Sequence, residues 1–349
     1  MNTPSTRSVP DVTLRNPGDL IAAVPALLGF HPRDSVVVVG FADEGLGPLV
    51  QLCLRIDLPE PRLSRRKLTG LAEHLVRHAT RRSCGDIMVV VIGGGPAASP
   101  PPGRDLVAAL RRATGRAGVE LRDAVWTAQV ARGERWRCYE RCACSGFVPD
   151  PKETTAAAVS VAAGHVIRGE RGEVEQLVAG RDPAVLRRRS ALVDQRIDEH
   201  TEGGRGVPSP RASFDLVLRW LERAAREPLE FSDADIVELS LALADPVVRD
   251  ACLGFATDGH LDGAERLWAV LVREMPDPEA AEPATLLASC AFARRDGILA
   301  GVALQRAQEA WPGHALSGML DAAMLSGQDP EQLLALIEEG ADSARVMIE

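Results

Sequence analysis

Four polar residues, His31, Arg33, Asp34 and Ser35, lie close together just before an apolar run and form the first candidate site. A histidine and a carboxylate beside a serine suggest nucleophilic chemistry, in which a base activates the hydroxyl. The Gly-x-Ser-x-Gly turn that exposes such a serine does not occur, and an aspartate before a strand is equally a turn former. We therefore predict a ligand-binding loop with no assigned catalytic residue, and structural turn chemistry is the alternative.

A second candidate is the run Gly93, Gly94 and Gly95, which follows the apolar segment 87–92. Proteins with a sheet between helices often bind ligands where strands end, and the backbone amides of such a loop can hold a phosphate. The next residues, PAASPPPG, complete neither GxGxxG nor GxxxxGK[ST]. The glycines predict a ligand loop or, alternatively, a plain strand-to-helix connection.

Two further groups could bind a metal ion. Cys138, Cys142 and Cys144 form the chain's thiol cluster, but a structural zinc site takes four ligands, usually as spaced pairs. His74 and His78 share one face of a predicted helix, yet HExxH is absent and the neighbouring arginines favour a solvated basic face. We predict no metal and no cofactor, and the three cysteines remain weak metal candidates.

The elements that position these residues follow from local patterns. Asn16 can cap a helix, Gly29 can end it, and Pro25 predicts a break inside it. Residues 35–41 and 49–58 predict an antiparallel hairpin, since apolar and polar residues alternate in the second segment. Further strands are predicted at 87–92, 121–130 and 135–139, and helices at 63–82, 105–116, 154–169 and 183–200. The fold class is α/β, a mixed sheet with flanking helices.

The run PALLGFHPRDSVVVVGF, within 25–41, resembles the opening of an actinobacterial family known as domain of unknown function 4192 (DUF4192). The resemblance covers most of the chain. Lysine and asparagine occur only twice each while arginine is abundant, which is typical of the GC-rich genomes of that group. The family has no established activity, so the resemblance implies no function and no site residues.

The second half is predicted to be all-α. Ala264, Trp268, Leu271 and Pro276 recur 36 residues later as Ala300, Leu304, Ala307 and Pro312, a pattern that resembles tetratricopeptide helix pairs. A degenerate bundle is the alternative, because only about two units are visible. We predict an α/β domain over 1–170, a helical bridge and Gly/Pro linker over 171–210, and an acidic helical domain over 211–349.

Charge and composition limit the partners and the cellular location that we expect. The region 211–349 has a net charge of −14 and the remainder +5, which argues against a nucleic-acid-binding surface on the acidic half. We expect neither nucleic acid nor a membrane as a partner of the protein. The amino-terminal residues lack a signal sequence, no apolar run could span a membrane, and the scattered cysteines suit a reduced compartment, so a cytoplasmic location is expected.

The favoured function is a non-catalytic interaction or regulatory module with a protein partner. The alternative is a small-molecule binding protein or enzyme at the α/β loop edge, and the oligomeric state stays open.

Overall fold

The computed structural model describes residues 16–43, 48–95, 100–139, 144–162, 167–203, 208–326 and 328–348. The chain divides into two compact units, Met1–Arg171 and Gly172–Glu349, which we call unit 1 and unit 2. Unit 1 is a mixed sheet with helices, and the described part of unit 2 is helical, as the sequence predicts. The described helices are too short or too polar to cross a membrane.

Unit 1 contains a six-stranded sheet with the order β2-β1-β3-β4-β5-β6. The pair β3–β4 is parallel and the other neighbouring pairs are antiparallel. Ser35, at the start of β1, therefore pairs with both Asp57 at the end of β2 and Ile92 at the end of β3. The ends of β2, β3 and β4 thus meet at one edge. The strands are β1 (Ser35–Asp43), β2 (Pro48–Asp57), β3 (Asp86–Ile92), β4 (Glu120–Thr127), β5 (Arg135–Cys138) and β6 (Ser145–Phe147).

Helices cover both faces of this sheet. Leu75 of α2 (Arg65–Arg81) and Leu110 of α3 (Arg104–Ala117) pack on one face against alternate strand residues such as Val36 and Val89. The intervening strand residues, including Val37 and Val90, are also fully buried. These intervening residues point to the opposite face of the sheet. We assign α1 (Pro17–Leu28) and α4 (Thr155–Ala162) to that face, because the two helices contact each other and α1 contacts β2. The central strands are consequently apolar on both sides.

Local signals explain where α1 begins and ends. The Asn16 side chain accepts hydrogen bonds from the Gly18 and Asp19 amides, and the Asp19 carboxylate accepts one from the Asn16 amide. Gly29 ends the helix with a φ of 75°. The predicted break at Pro25 is wrong, because α1 runs unbroken through it. Burial of most of the helix, including the Pro25 ring itself, outweighs the lost hydrogen bond.

The predicted helix 154–169 is also shorter than expected. Within the described residues, α4 ends at Ala162, and Arg168 forms a parallel β-bridge with Phe30. The Arg168 amide donates to the Gly29 carbonyl, and the His31 amide donates to the Arg168 carbonyl. This segment therefore returns to the loop that follows α1.

Unit 2 is built around a large apolar core, with a small second cluster formed by Ala251, Ala344 and Ile348. Arg189, which is 3% exposed, anchors α6 through Asp233 and Glu274. The helices are α5 (Arg171–Glu175), α6 (Pro183–Gly203), α7 (Pro210–Ala224), α8 (Asp233–Ala244), α9 (Pro246–Leu253), α10 (Leu261–Glu274), α11 (Ala281–Ala293), α12 (Gly297–Ala310), α13 (Ala315–Leu325) and α14 (Pro330–Ile348).

The 36-residue recurrence corresponds to two successive helix pairs, α10–α11 and α12–α13. Its apolar members are core residues, since each is fully buried: Ala264, Trp268, Leu271, Ala300, Leu304 and Ala307. The recurrence therefore accounts for how the helices pack. It provides no support of its own for a partner-binding groove.

Candidate functional site

The structure brings both predicted loops of unit 1 to one cleft. The cleft has a volume of about 460 Å³ and lies where β3 and β4 end. It is lined by residues 31–34, residues 92–95, residues 128–130 after β4, and Gly169. Residues 31–34 and 93–95 lie about 60 positions apart in the chain, and the sheet register alone brings them together. The volume is in the range of small-molecule sites.

The glycine loop needs glycine at its first position. Gly93 has a φ of 120°, and a Cβ there would lie 2.3 Å from Asp34 Oδ1 and 2.9 Å from Asp34 Cα. Gly94 and Gly95 also have positive φ, 77° and 75°, and both are exposed. The conformation therefore brings bare backbone against the 31–34 loop and leaves the next two residues facing solvent.

Hydrogen bonds hold the glycine loop in place. The Gly93 amide donates to the Thr127 carbonyl (3.1 Å), and the buried Trp126 indole donates to the Gly93 carbonyl (2.9 Å). The Gly94 amide makes a long bond (3.4 Å) to Asp34 Oδ1. β4 and the 31–34 loop thus hold the glycine loop from two sides.

The charged groups of the 31–34 loop face the cleft. Asp34 has a φ of 39°, an uncommon value for a residue other than glycine, and its carbonyl accepts from the Leu58 amide at 2.7 Å. The Arg33 guanidinium is exposed, and within the described part of the chain it forms no ion pair. His31 is half-buried beside it. The cleft therefore offers a cation with no ion-pair partner among the described residues, next to the exposed backbone of Gly95.

Ser35 has a different position from its neighbours. It is fully buried and is not among the residues that line the cleft. Its hydroxyl donates to the Arg33 carbonyl (2.5 Å) and accepts from Arg55 Nε (2.9 Å), and Arg55 also pairs with Asp57 (2.5 Å). The hydroxyl links the cleft loop to β2, and its burial does not suit attack on a substrate.

Sequence reasoning missed the residues contributed by β4 and by the segment after α4. Gln129 and Gly169 line the cleft, and Trp126 and Thr127 support it. The residues after β4 could have been predicted to line the site, because parallel strands end at the same edge of a sheet. No local signal places Gly169 there, since its position depends on the bridge between Arg168 and Phe30.

The candidate metal ligands lie elsewhere in unit 1. The Cys138 amide donates to the Cys144 carbonyl (2.9 Å) across β5 and β6, while Cys142 lies outside the described residues. The Nε2 atoms of His74 and His78 are 3.1 Å apart, as in a hydrogen bond between one protonated and one unprotonated nitrogen. Burial, and then the charges of His74 and nearby arginines, lower the pKa of His78. Among the described residues, no three metal-binding side chains converge.

Comparison with curated proteins and with solved structures finds no match. The sequence does match one family, described as a domain of unknown function (DUF4192), over residues 17–331. The match includes both loops of the cleft and most of unit 2. The chain therefore belongs to the DUF4192 family.

Proposed function

We propose that the chain binds a small phosphate-bearing molecule in the cleft between residues 31–34 and 93–95. The observation that carries the proposal is the close approach of Gly93 to Asp34, which creates a preformed cleft from two distant loops. Such clefts at strand ends are common ligand sites in proteins with parallel strands.

The groups around the cleft suit an anion. The exposed backbone of Gly95 can approach a phosphate closely, since no side chain intervenes, whereas the Gly94 amide already donates to Asp34. The Arg33 guanidinium supplies a forked set of donors that matches phosphate oxygens. The one carboxylate in the loop, Asp34, is engaged by the Gly94 amide and so contributes to loop structure.

This proposal selects the second of the two functions that the sequence predicts. The interaction-module hypothesis relied on the 36-residue recurrence, whose apolar members are buried in the core of unit 2. The small-molecule hypothesis is favoured by a concave site at the loop edge of the sheet, and the cleft between residues 31–34 and 93–95 supports it. A catalytic step is not part of the proposal.

Titration calorimetry at low salt tests this function with four probes: inorganic phosphate, pyrophosphate, ATP and adenosine. We expect binding of at least one phosphate compound and none of adenosine. Arg33→Gln should weaken that binding by about 10–100-fold, the value of one charge-assisted hydrogen bond. Arg112→Gln is the matched control, because Arg112 is an exposed arginine of α3 that does not line the cleft.

Two outcomes would contradict the proposal. One is the absence of binding for all three phosphate compounds. The other is equal loss of affinity in the Arg33 and Arg112 variants, which would indicate unspecific attraction to surface charge. Unchanged thermal unfolding of both variants is the required check that the fold is intact.

A further inference from the structure

The outer surface of α2 and α3 carries a concentrated positive charge. These two helices contain nine Lys or Arg residues and two Asp or Glu residues, a net charge of +7 in a chain whose net charge is −9. All nine cationic side chains are exposed. We call this surface the α2–α3 face, and it lies outside the cleft described above.

A groove runs between the two helices, with a volume of about 360 Å³. Its floor is aliphatic and shallow, formed by Val76, Ala113 and Ala117, and its sides carry Arg77 and Arg116. Small residues on the floor allow another chain segment to approach closely. The arrangement is that of a groove that accepts an amphipathic helix.

One arginine of the groove already forms an ion pair with a carboxylate. Arg116 pairs with Glu73 at 2.8 Å, although both side chains are largely exposed. On the opposite side, Arg77 has no ion-pair partner among the described residues. A partner carboxylate can therefore pair with Arg77 without displacing an existing ion pair.

We propose that the α2–α3 face docks an acidic amphipathic helix of another protein. Its carboxylates would lie along the arginine sides, and its small apolar side chains would face the floor. Single-stranded nucleic acid fits less well, because neither helix carries Phe, Tyr or Trp on which bases could stack. A duplex would leave the aliphatic floor without a partner, since its backbone presents phosphates. The net negative charge of the whole chain also repels a long polyanion. A short acidic segment is attracted mainly by the positive charge of the α2–α3 face, because salt screens more distant charges.

Fluorescence anisotropy tests this docking with the full chain and a labelled 20-residue helical peptide that has Glu on its flanks and Ala and Leu on one face. We expect salt-sensitive binding, weakened about tenfold or more by the double change Arg77→Glu and Arg116→Glu at the sides of the groove. The same charge change at Arg219 and Arg226, which are exposed in unit 2, should have little effect.

A second pair of variants tests shape separately from charge. Ala117→Trp fills the groove and should weaken binding, whereas Ala108→Trp places the same side chain on an exposed position of α3 outside the groove. Equal binding by the two tryptophan variants, or no binding of the acidic peptide by the unaltered chain, would overturn the proposal. Tighter, Arg77-dependent binding of a 20-base-pair DNA duplex would overturn it in favour of nucleic acid. None of these variants alters the phosphate cleft, so the two proposals succeed or fail separately.

Discussion

The close approach of Gly93 to Asp34 gives a quantitative prediction about unit 1. Gly93→Ala places a Cβ on a residue with a φ of 120°, where only glycine is unstrained, at a cost of about 1–3 kcal/mol. That Cβ would also lie 2.3 Å from Asp34 Oδ1 and 2.9 Å from Asp34 Cα, so that backbone has to move. Overpacking of this kind adds roughly 1–3 kcal/mol. We expect a total loss of about 2–6 kcal/mol in the free energy of unfolding.

Gly95→Ala is the matched control for backbone strain. Gly95 has a φ of 75°, and a Cβ there would meet no atom within 4 Å. Its substitution should therefore cost only about 1–2 kcal/mol, the price of the left-handed conformation. Urea denaturation followed by circular dichroism measures both variants, with a separate transition for each unit if they unfold independently.

A double-mutant cycle identifies the contact responsible. Asp34→Ala removes the Oδ1 atom, so the extra cost of Gly93→Ala should fall by about 1 kcal/mol or more in that background. Equal losses in the Gly93 and Gly95 variants would refute the steric reasoning. An unchanged cost in the Asp34→Ala background would show that the carboxylate is not the obstacle.

Three further predictions concern buried or paired groups. Ser35→Ala should cost about 1–3 kcal/mol in urea denaturation, because Arg55 Nε and the Arg33 carbonyl both lose a partner; a loss below about 0.5 kcal/mol would contradict the linking role. Hydrogen bonds from Arg188 and then Arg189 lower the pKa of Asp233 to about 2, so the stability that this carboxylate provides is present above its unfolded value of 3.8 and is lost as pH falls through about 2. Asp233→Asn should therefore cost roughly 1 kcal/mol at pH 7 after solvent screening, and acid titration of both proteins should converge near pH 2. Burial raises the pKa of Cys84 to about 11, so mass spectrometry after iodoacetamide treatment at pH 8 should find this thiol protected in the native chain, whereas the exposed Cys144 reacts.

Much of unit 1 could be predicted from the sequence because its signals are local. The Asn16 cap, the Gly29 stop and the alternation in β2 each depend on residues within a few positions. The uniformly apolar β3 indicated a strand covered on both faces, and both faces are covered. The helical nature of the second half likewise followed from periodicity.

Other features depended on packing that no local pattern encodes. Pro25 continues α1 because the helix is buried around it, although an isolated proline would favour a break. Residues 172–203 belong to unit 2, where Arg189 pairs with Glu274, and no local pattern encodes that pairing. The sequence alone could not assign this segment, because its partners lie far along the chain.

For the candidate site, the sequence determined the residue types and the tertiary structure decided their roles. His31, Arg33 and the three glycines were recognised as two separate loops, each with a structural alternative. The register of β1 against β3 joins those loops at one cleft, while burial of Ser35 separates it from its neighbours. The physical reason is that turns and caps form through hydrogen bonds between near neighbours, whereas a cleft forms only when distant strands pair and their ends are brought to the same edge.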